Sequence, residues 1–152
     1  MRSNFIRAFA TGICWLGLTT TAFSLPVFSR LVLPNPVLFL TGQERYRSGG
    51  KEFIRYNYAV LNADYYPAEM FAAAPSLPPC GANTKASRTW VDIFDQRGKR
   101  LWGFCAFGKP ADLNDIWFGL DADVIPPSYI YIEMNDRQTN TKYKSNLADT
   151  TL

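Results

Sequence analysis

The chain has 152 residues, of which 47% are hydrophobic, 15% aromatic and 19% charged, and its formal net charge is +3. This balance suits one folded domain and excludes a disordered or highly charged tail. Histidine is absent, which excludes His-based catalytic triads, His metal sites and imidazole general bases. The composition thus excludes the enzyme mechanisms that depend on histidine and indicates no particular activity.

The N-terminus has the design of a cleaved secretory signal peptide, predicted at residues 1–24. A start with two arginines precedes an apolar run, and the small residues Ala22 and Ser24 suit signal peptidase. The alternative is an uncleaved anchor, because the stretch of about 22 residues between Arg7 and Arg30 has no charge and is long enough to span a bilayer. Cleavage would lower the net charge from +3 to about +1, too little to build the positive field that nucleic acid binding needs.

Two cysteines remain after the signal is removed, Cys80 and Cys105. An oxidising compartment favours pairing them, and the bridge would close a loop of about 26 residues and stabilise the fold by roughly 3.5 kcal/mol. Cys80 lies in a proline-rich turn and Cys105 in an apolar strand, so the bridge would tie a loop onto a sheet. A redox pair would need Cys-x-x-Cys spacing, which is absent, and we interpret the bridge as structural.

Short β-strands follow one another along the mature chain. Residues 25–36 are a lead-in, and 148–152 are predicted to be a frayed tail. Alternating apolar residues and regular turn signals, without a long 3.6-residue period, make residues 37–147 one all-β domain. Its predicted fold class is an immunoglobulin- or fibronectin III-like antiparallel β-sandwich of about seven strands. The predicted strands are 37–41, 53–62, 87–94, 100–107, 116–120, 128–135 and 141–145, with a turn of helix at 68–74.

The clearest turn runs from Asp95 to Gly98. Asp at its first position and Gly at its fourth have turn chemistry and predict an antiparallel hairpin of 87–94 with 100–107. We expect Gly98 to have a positive φ, which larger side chains rarely adopt. The hairpin places Cys105 far from the turn, within reach of the chain that precedes the first of these strands.

The stretch from Ile125 to Tyr131, IPPSYIY, resembles the apolar-x-Pro-x-Ser/Thr-x-Tyr entry to the penultimate strand of fibronectin type III domains. The resemblance implies a corner in which the Tyr131 hydroxyl bonds nearby backbone. The apolar alternation, however, runs through Ile130, Ile132 and Met134, on the opposite face. Either a bulge changes the facing of Tyr131 or the corner is absent.

Three further segments carry a longer resemblance: LPPCGAN at 77–83, SRTWVDI at 87–93 and GFCA at 103–106. They are similar to motifs of a group of small exported bacterial proteins of unassigned function. The resemblance spans 37–146. It implies a compact exported β-domain and brings no catalytic residue with it.

Aromatic residues are the main candidates for a binding surface. Exposed flat rings bind sugars or protein partners by apolar contact with polar tips, and we predict this role for Trp102, Trp117, Tyr129 and Tyr143. Trp90 is assigned to the interior by analogy with the buried tryptophan of immunoglobulin-type sandwiches. Its alternation along the strand favours the opposite face, so the two arguments conflict.

Four acidic residues, Asp112, Asp115, Asp121 and Asp123, cluster in two loops. Calcium takes oxygen ligands from such loops, but the spacing fits no known loop motif and aspartate is an ordinary turn former. We therefore predict no metal site and no cofactor. A carboxylate pair of the kind used in glycoside hydrolysis has too many candidate members for the sequence to choose one.

These observations predict a non-enzymatic, exported, single-domain β-sandwich that acts as a binding module of the cell envelope. An envelope protein is the expected partner, nucleic acid is not, and contact with the membrane would come only from an uncleaved signal segment. The alternative is a carbohydrate-binding module or small glycosidase. A groove of coplanar rings would favour sugar, an open sheet edge would favour protein, and two carboxylates about 5–10 Å apart would favour hydrolysis.

Overall fold

A computed structural model describes residues 32–80, 87–106 and 108–151, so the predicted signal peptide lies outside the described residues. This part of the chain contains eight strands and three short 3₁₀ helices. The strands are β1 (Leu38–Ser48), β2 (Lys51–Val60), β3 (Thr89–Asp95), β4 (Arg100–Ala106), β5 (Ile116–Asp121), β6 (Tyr129–Asp136), β7 (Thr141–Lys144) and β8 (Ala148–Asp149), and the 3₁₀ helices are Ala63–Tyr65, Ala68–Phe71 and Pro110–Asn114.

The strands form two antiparallel sheets that pack together, which confirms the predicted all-β sandwich. One sheet has the order β1-β2-β5 and the other β4-β3-β6-β7, with β8 also paired to β6. The chain therefore changes sheet after β2, after β4 and after β5. Such crossovers are typical of the Greek-key sandwiches of the immunoglobulin type.

The core lies between the inner faces of the two sheets. Tyr56 and Tyr58 of β2 are buried on one side, and Ile130, Ile132 and Met134 of β6 are fully buried on the other. Period-two alternation puts these residues on one face of each strand. The inward faces predicted for both strands are confirmed.

The first strand is longer than predicted, because β1 extends through Ser48 rather than ending near residue 41. Gly49 and Gly50, with φ of 59° and 80°, form a two-residue hairpin turn, and Ser48 pairs with Lys51. Positive φ at both central positions matches the twist of the flanking strands. Most residues of β1 after position 41 are polar, so this half of the strand has no apolar alternation that the sequence analysis could detect. It is a strand because it pairs with β2.

The β3–β4 hairpin is confirmed, as is the positive φ of Gly98, which is 82°. The Asp95 N–H donates to the Lys99 carbonyl at 2.9 Å. Asp95 Oδ1 also accepts the backbone N–H groups of Arg97 and Lys99, at 2.9 and 2.8 Å. The aspartate side chain thus holds the turn that the glycine conformation permits.

The C-terminal residues are ordered, which corrects the prediction of a frayed tail. Ala148 of β8 pairs with Ile130, and Thr150 is almost fully buried. The Thr150 N–H donates to the Ser128 carbonyl at 3.1 Å, and the Tyr58 hydroxyl donates to the Asp149 carbonyl at 3.1 Å. A strand of two residues is too short to show periodicity, so only its tertiary partners reveal it.

The end of the lead-in is fixed to the sandwich. The Tyr66 hydroxyl donates to the Pro34 carbonyl at 2.7 Å, and the Asn62 amide donates to the Asn35 carbonyl at 2.9 Å. Burial raises the pKa of the Tyr66 hydroxyl well above its ordinary value.

Candidate functional site: an open seam between two sheet edges

The sandwich has edge strands on both sides: β1 and β7 lie on one, which we call the closed side, and β4 and β5 lie on the other, which we call the open side. On the closed side, the Asn146 side chain bonds both the N–H and the carbonyl of Leu38, at 2.8 and 3.0 Å, and so joins β1 to the β7–β8 connection. On the open side lie β4 and β5. In the described part of the chain each of these strands pairs with a single neighbour, which leaves two sheet edges unpaired.

We call this open side the seam, formed by side chains that line two clefts between β4 and β5. The first cleft, of about 220 Å³, contains Trp102 and Phe104 on the β4 wall and Ile116 and Trp117 on the β5 wall, with Asp115 at its end. Trp102 is 56% exposed and Trp117 is 45% exposed. Two of the four predicted binding residues therefore meet in one cleft.

The second cleft, of about 390 Å³, continues along the same seam toward the β3–β4 turn. Leu101 lies on its β4 wall and Leu120 on its β5 wall, and both pack partly against the core. The loop after β5 adds Val124 and Ile125, of which Ile125 is 91% exposed. The seam thus presents apolar surface along most of both edge strands.

A bulge in β4 directs two successive side chains toward the seam. Arg100 pairs with Phe94, but the next pair along the strands is Trp102 with Ile93, so Leu101 is the extra residue. Trp102 lies on the inner face with the fully buried Ile93. Because β4 is the edge strand of the larger sheet, the indole remains open to solvent.

Trp117 lies at the rim of the first cleft, on the outer side of the smaller sheet. The Arg55 guanidinium is 4.4 Å from the centroid of its ring and also pairs with Glu44 at 3.1 Å. A cation over an indole face is attracted by the ring quadrupole. Arg55 thus fixes the orientation of Trp117.

Charges of opposite sign lie at one end of the seam. Arg97 and Lys99 are exposed on the turn that precedes β4, while Asp121 and Asp123 are exposed where β5 ends. None of the five ion pairs found in the described residues includes any of these four. One edge of the seam is therefore basic and the other acidic.

The predicted acidic cluster is divided among three places, of which Asp121 and Asp123 share one. Asp112 accepts the Lys109 N–H at 3.0 Å and caps a 3₁₀ helix, Asp115 lines the first cleft, and Asp121 lies at the far end of β5. Among the described residues, no group of three or more acidic or cysteine side chains is arranged to hold a metal ion.

The remaining two predicted binding residues line neither cleft of the seam. Tyr129 is 43% exposed at the start of β6, where its carbonyl accepts the Gln96 N–H at 3.1 Å. Tyr143 packs partly against the core, with its ring edge-on to Tyr66 at 6.0 Å. Tyr143 therefore contributes to packing rather than to an exposed strip of rings.

Trp90 lies on the outer face of the larger sheet, which corrects its assignment to the interior. The inner face of β3 is occupied by Thr89, Val91 and Ile93, all fully buried. The Arg100 guanidinium lies 5.7 Å from the Trp90 ring centroid. The alternation along the strand therefore predicted the facing correctly, and the analogy did not.

The outer face of the larger sheet is covered by stacked aromatic and cationic side chains. Phe94 and Tyr131 stack at 5.2 Å between centroids, and the Lys144 ammonium lies 4.1 Å from the Tyr131 ring. The β3–β6 register is continuous, so Tyr131 keeps the outward facing that the alternation predicts. These contacts pair the outward side chains of this sheet with one another. A third cleft, of about 330 Å³, lies between Phe39 and Leu147 on the closed side, but it contains none of the four predicted binding residues.

The structure brings the predicted disulfide partners together. The Cα atoms of Cys80 and Cys105 are 5.8 Å apart, within the range that a disulfide requires. Arg137 holds the same loop, because its guanidinium donates to the carbonyls of Ser87 and Pro78 at 2.8 and 2.7 Å. The bridge and the arginine together fix the loop beside the end of the β3–β4 hairpin that lies opposite the turn.

Sequence reasoning missed one buried ion pair. Arg88 bonds both carboxylate oxygens of Asp136, at 2.8 and 2.6 Å, and the Asp136 side chain is 3% exposed. Burial opposes ionisation of this carboxyl, but hydrogen bonds from Arg88, from Thr139 and from the Gln138 N–H outweigh burial and lower its pKa. The partners are far apart in sequence, so no local motif indicates the pair.

Comparisons of the chain with protein-family models, with curated proteins and with solved structures found no match. In the described residues, no helix is long and apolar enough to cross a membrane. Arguments about function therefore rest on the residues and on the geometry of the seam.

Proposed function

We propose that this protein is an exported interaction module of the cell envelope and that the seam binds a protein. The observation that carries the proposal is the convergence of two unpaired strand edges on a cleft with two exposed tryptophans. Unpaired edges offer backbone N–H and carbonyl groups to another chain. Tryptophans in clefts are frequent anchors of protein interfaces.

Two independent features support export. The N-terminal pattern has the charged, apolar and small-residue regions of a signal peptide, and Cys80 and Cys105 lie at disulfide distance. Disulfides persist in oxidising compartments such as the periplasm.

Site-specific photo-crosslinking in intact cells tests the seam. A photoreactive amino acid at Trp102 should give a discrete crosslinked protein product. The control position is Phe39, which is 54% exposed and lies on β1, on the closed side. Absence of any crosslink from Trp102, or the same product from both positions, would contradict protein binding at the seam.

One observation favours carbohydrate as a second candidate ligand. Trp102 and Trp117 share the first cleft with the carboxylate of Asp115, and aromatic rings with a nearby acceptor suit sugar binding. Calorimetry with a panel of envelope oligosaccharides tests this role. Heat of binding that Trp117→Ala abolishes would support it, whereas no heat with any glycan would exclude it at the concentrations used.

A further inference from the structure

We propose that the protein bound at the seam is a second copy of this chain. The inference rests on the proposed function, since it names the partner of the same surface. The two copies would be related by a two-fold axis parallel to the strands. This axis sets β4 of one copy beside β5 of its partner, and β5 beside β4, so that both edges are covered at once.

The apolar surface of the seam gives the first argument. Trp102 and Trp117 are about half exposed, and Ile125 is 91% exposed. An apolar surface that continues along two strands favours burial against another apolar surface. In an isologous dimer the same patch serves as both surfaces, so the seam of one copy would cover that of the other.

The charges at the seam determine how the two copies are oriented relative to one another. Arg97 and Lys99 lie just before the start of β4, and Asp121 and Asp123 lie at the same end of the seam, where β5 ends. Rotation about an axis parallel to the strands places the larger sheet of one copy beside the smaller sheet of its partner. It does not change the position of a residue along the seam. It therefore sets Lys99 opposite the partner's Asp121, and opposite charges across an interface fix its register.

The other two-fold arrangement lacks this pairing. An axis perpendicular to the sheets would set β4 beside β4 and would reverse the direction along the seam. Lys99 would then lie level with the opposite end of the partner's β4, where Ala106 ends the strand. The β4-to-β5 arrangement alone brings the basic and acidic edges together.

The mass of the exported protein in solution gives the first test. The full chain is expressed with its signal, purified from the exported fraction and measured by light scattering and sedimentation. We expect twice the mass of one chain. Trp102→Glu should shift the population to monomer, with at least a tenfold weaker dimerisation, whereas Phe39→Glu on the closed side should leave the dimer intact.

A charge exchange gives a sharper test of the β4-to-β5 arrangement. Lys99→Glu alone and Asp121→Lys alone should each weaken the homodimer, because each sets like charges opposite one another twice. Mixing the two variants should restore a dimer that contains one chain of each kind. Both contacts between the chains in that mixed dimer join opposite charges. Mixing changes only contacts between chains, so contacts within one chain do not explain the rescue.

The outcomes separate this inference from the proposed function. A wild-type monomer at all concentrations, with a distinct protein still crosslinked at Trp102, would overturn the dimer and leave protein binding at the seam intact. A dimer unaffected by Trp102→Glu would overturn the inference, and absence of crosslinks at Trp102 would then overturn the proposed function as well. A seam-dependent dimer without rescue in the mixture would overturn the β4-to-β5 arrangement. Circular dichroism of each variant ensures that a loss of dimer is not a loss of folding.

Discussion

Arg88 and Asp136 form a two-point ion pair that joins the residue before β3 to the last residue of β6. Removal of one partner leaves a buried charge without compensation, at a cost of about 3 kcal/mol or more. We expect Arg88→Ala to lower the free energy of unfolding by this amount at pH 7. Arg88→Lys keeps the charge but loses the two-point geometry, and it should cost less. Urea unfolding of both variants measures the difference, and equal losses would contradict the importance of the bidentate contact.

The same ion pair predicts an acid dependence of stability. The pKa of Asp136 is lowered in the folded state, so its contribution is present above its unfolded pKa of about 3.9 and is lost as pH falls through the folded value. The unfolding free energies of wild type and Arg88→Ala should therefore converge as pH falls from about 5 to below 3. Urea unfolding across this range tests the point, and a constant difference would contradict it.

The disulfide predicts a loss of stability on its removal. Replacing both Cys80 and Cys105 by Ala should lower the free energy of unfolding by roughly 2–4 kcal/mol, because the unfolded chain regains the freedom of the closed loop. Thermal and urea unfolding measure the effect. Wild type treated with a reductant is the control and should resemble the double variant. Free thiols in native exported protein would contradict the bridge.

The positive φ of Gly98 predicts that a larger residue at this position strains the turn and lowers stability. Gly98 has φ of 82°, and the space where a Cβ would lie is open, with the Tyr131 hydroxyl at 3.8 Å. Gly98→Ala should therefore cost about 1–2 kcal/mol from backbone strain alone. Gly42→Ala is the matched control, because a Cβ there meets nothing within 4 Å and no positive φ is present. Equal small losses for both variants would remove the strain argument.

The C-terminal strand predicts a sharp dependence on chain length. Ending the chain after Leu147 removes the buried Ala148 and Thr150 and their hydrogen bonds to the β6 region, and it should cost about 2 kcal/mol or more. Ending it after Thr150 keeps these contacts and should cost little. Melting temperatures of the two truncated chains compare them directly. An unchanged melting temperature after the longer deletion would contradict an ordered tail.

The N-terminal pattern predicts the start of the exported protein. Small residues at Ala22 and Ser24 predict cleavage before Leu25, and the alternative pair Thr20 and Ala22 predicts cleavage before Phe23. N-terminal sequencing and intact-mass measurement of exported material decide between these sites. Intact Met1 in a membrane fraction would instead indicate an uncleaved anchor.

Local patterns were sufficient wherever one face of a strand is buried. The alternation in β2, β3 and β6 predicted the inward faces of Tyr58, Ile93 and Ile132, because a one-residue slip would expose the entire apolar set. The turn from Asp95 to Gly98 was also predicted correctly, since the residue types that favour a turn lie within four consecutive positions. The sequence also predicted the pairing of Cys80 and Cys105, the two cysteines outside the predicted signal peptide.

Features that depend on partners distant in sequence needed the tertiary structure. The outer half of β1 is polar, β8 has two residues, and Arg88 lies 48 positions before Asp136, so none of them leaves a local periodicity. The seam is a further case. The residue types predicted Trp102 and Trp117 as exposed rings but did not show that they share a cleft.

The sequence by itself determined the all-β class, the inward faces, the main hairpin and the disulfide partners. Each of these follows from neighbouring residues or, for the disulfide, from the presence of only two cysteines outside the predicted signal peptide. Only the tertiary structure decided the division into three- and five-stranded sheets, and hence that β4 and β5 are both edge strands on one side. A strand lies at the edge of a sheet when only one neighbour pairs with it. Which strands become neighbours is decided by packing between segments far apart in the chain. For that reason Trp102, whose strand position faces inward, remains exposed in the seam, whereas Ile93, its cross-strand partner, is fully buried.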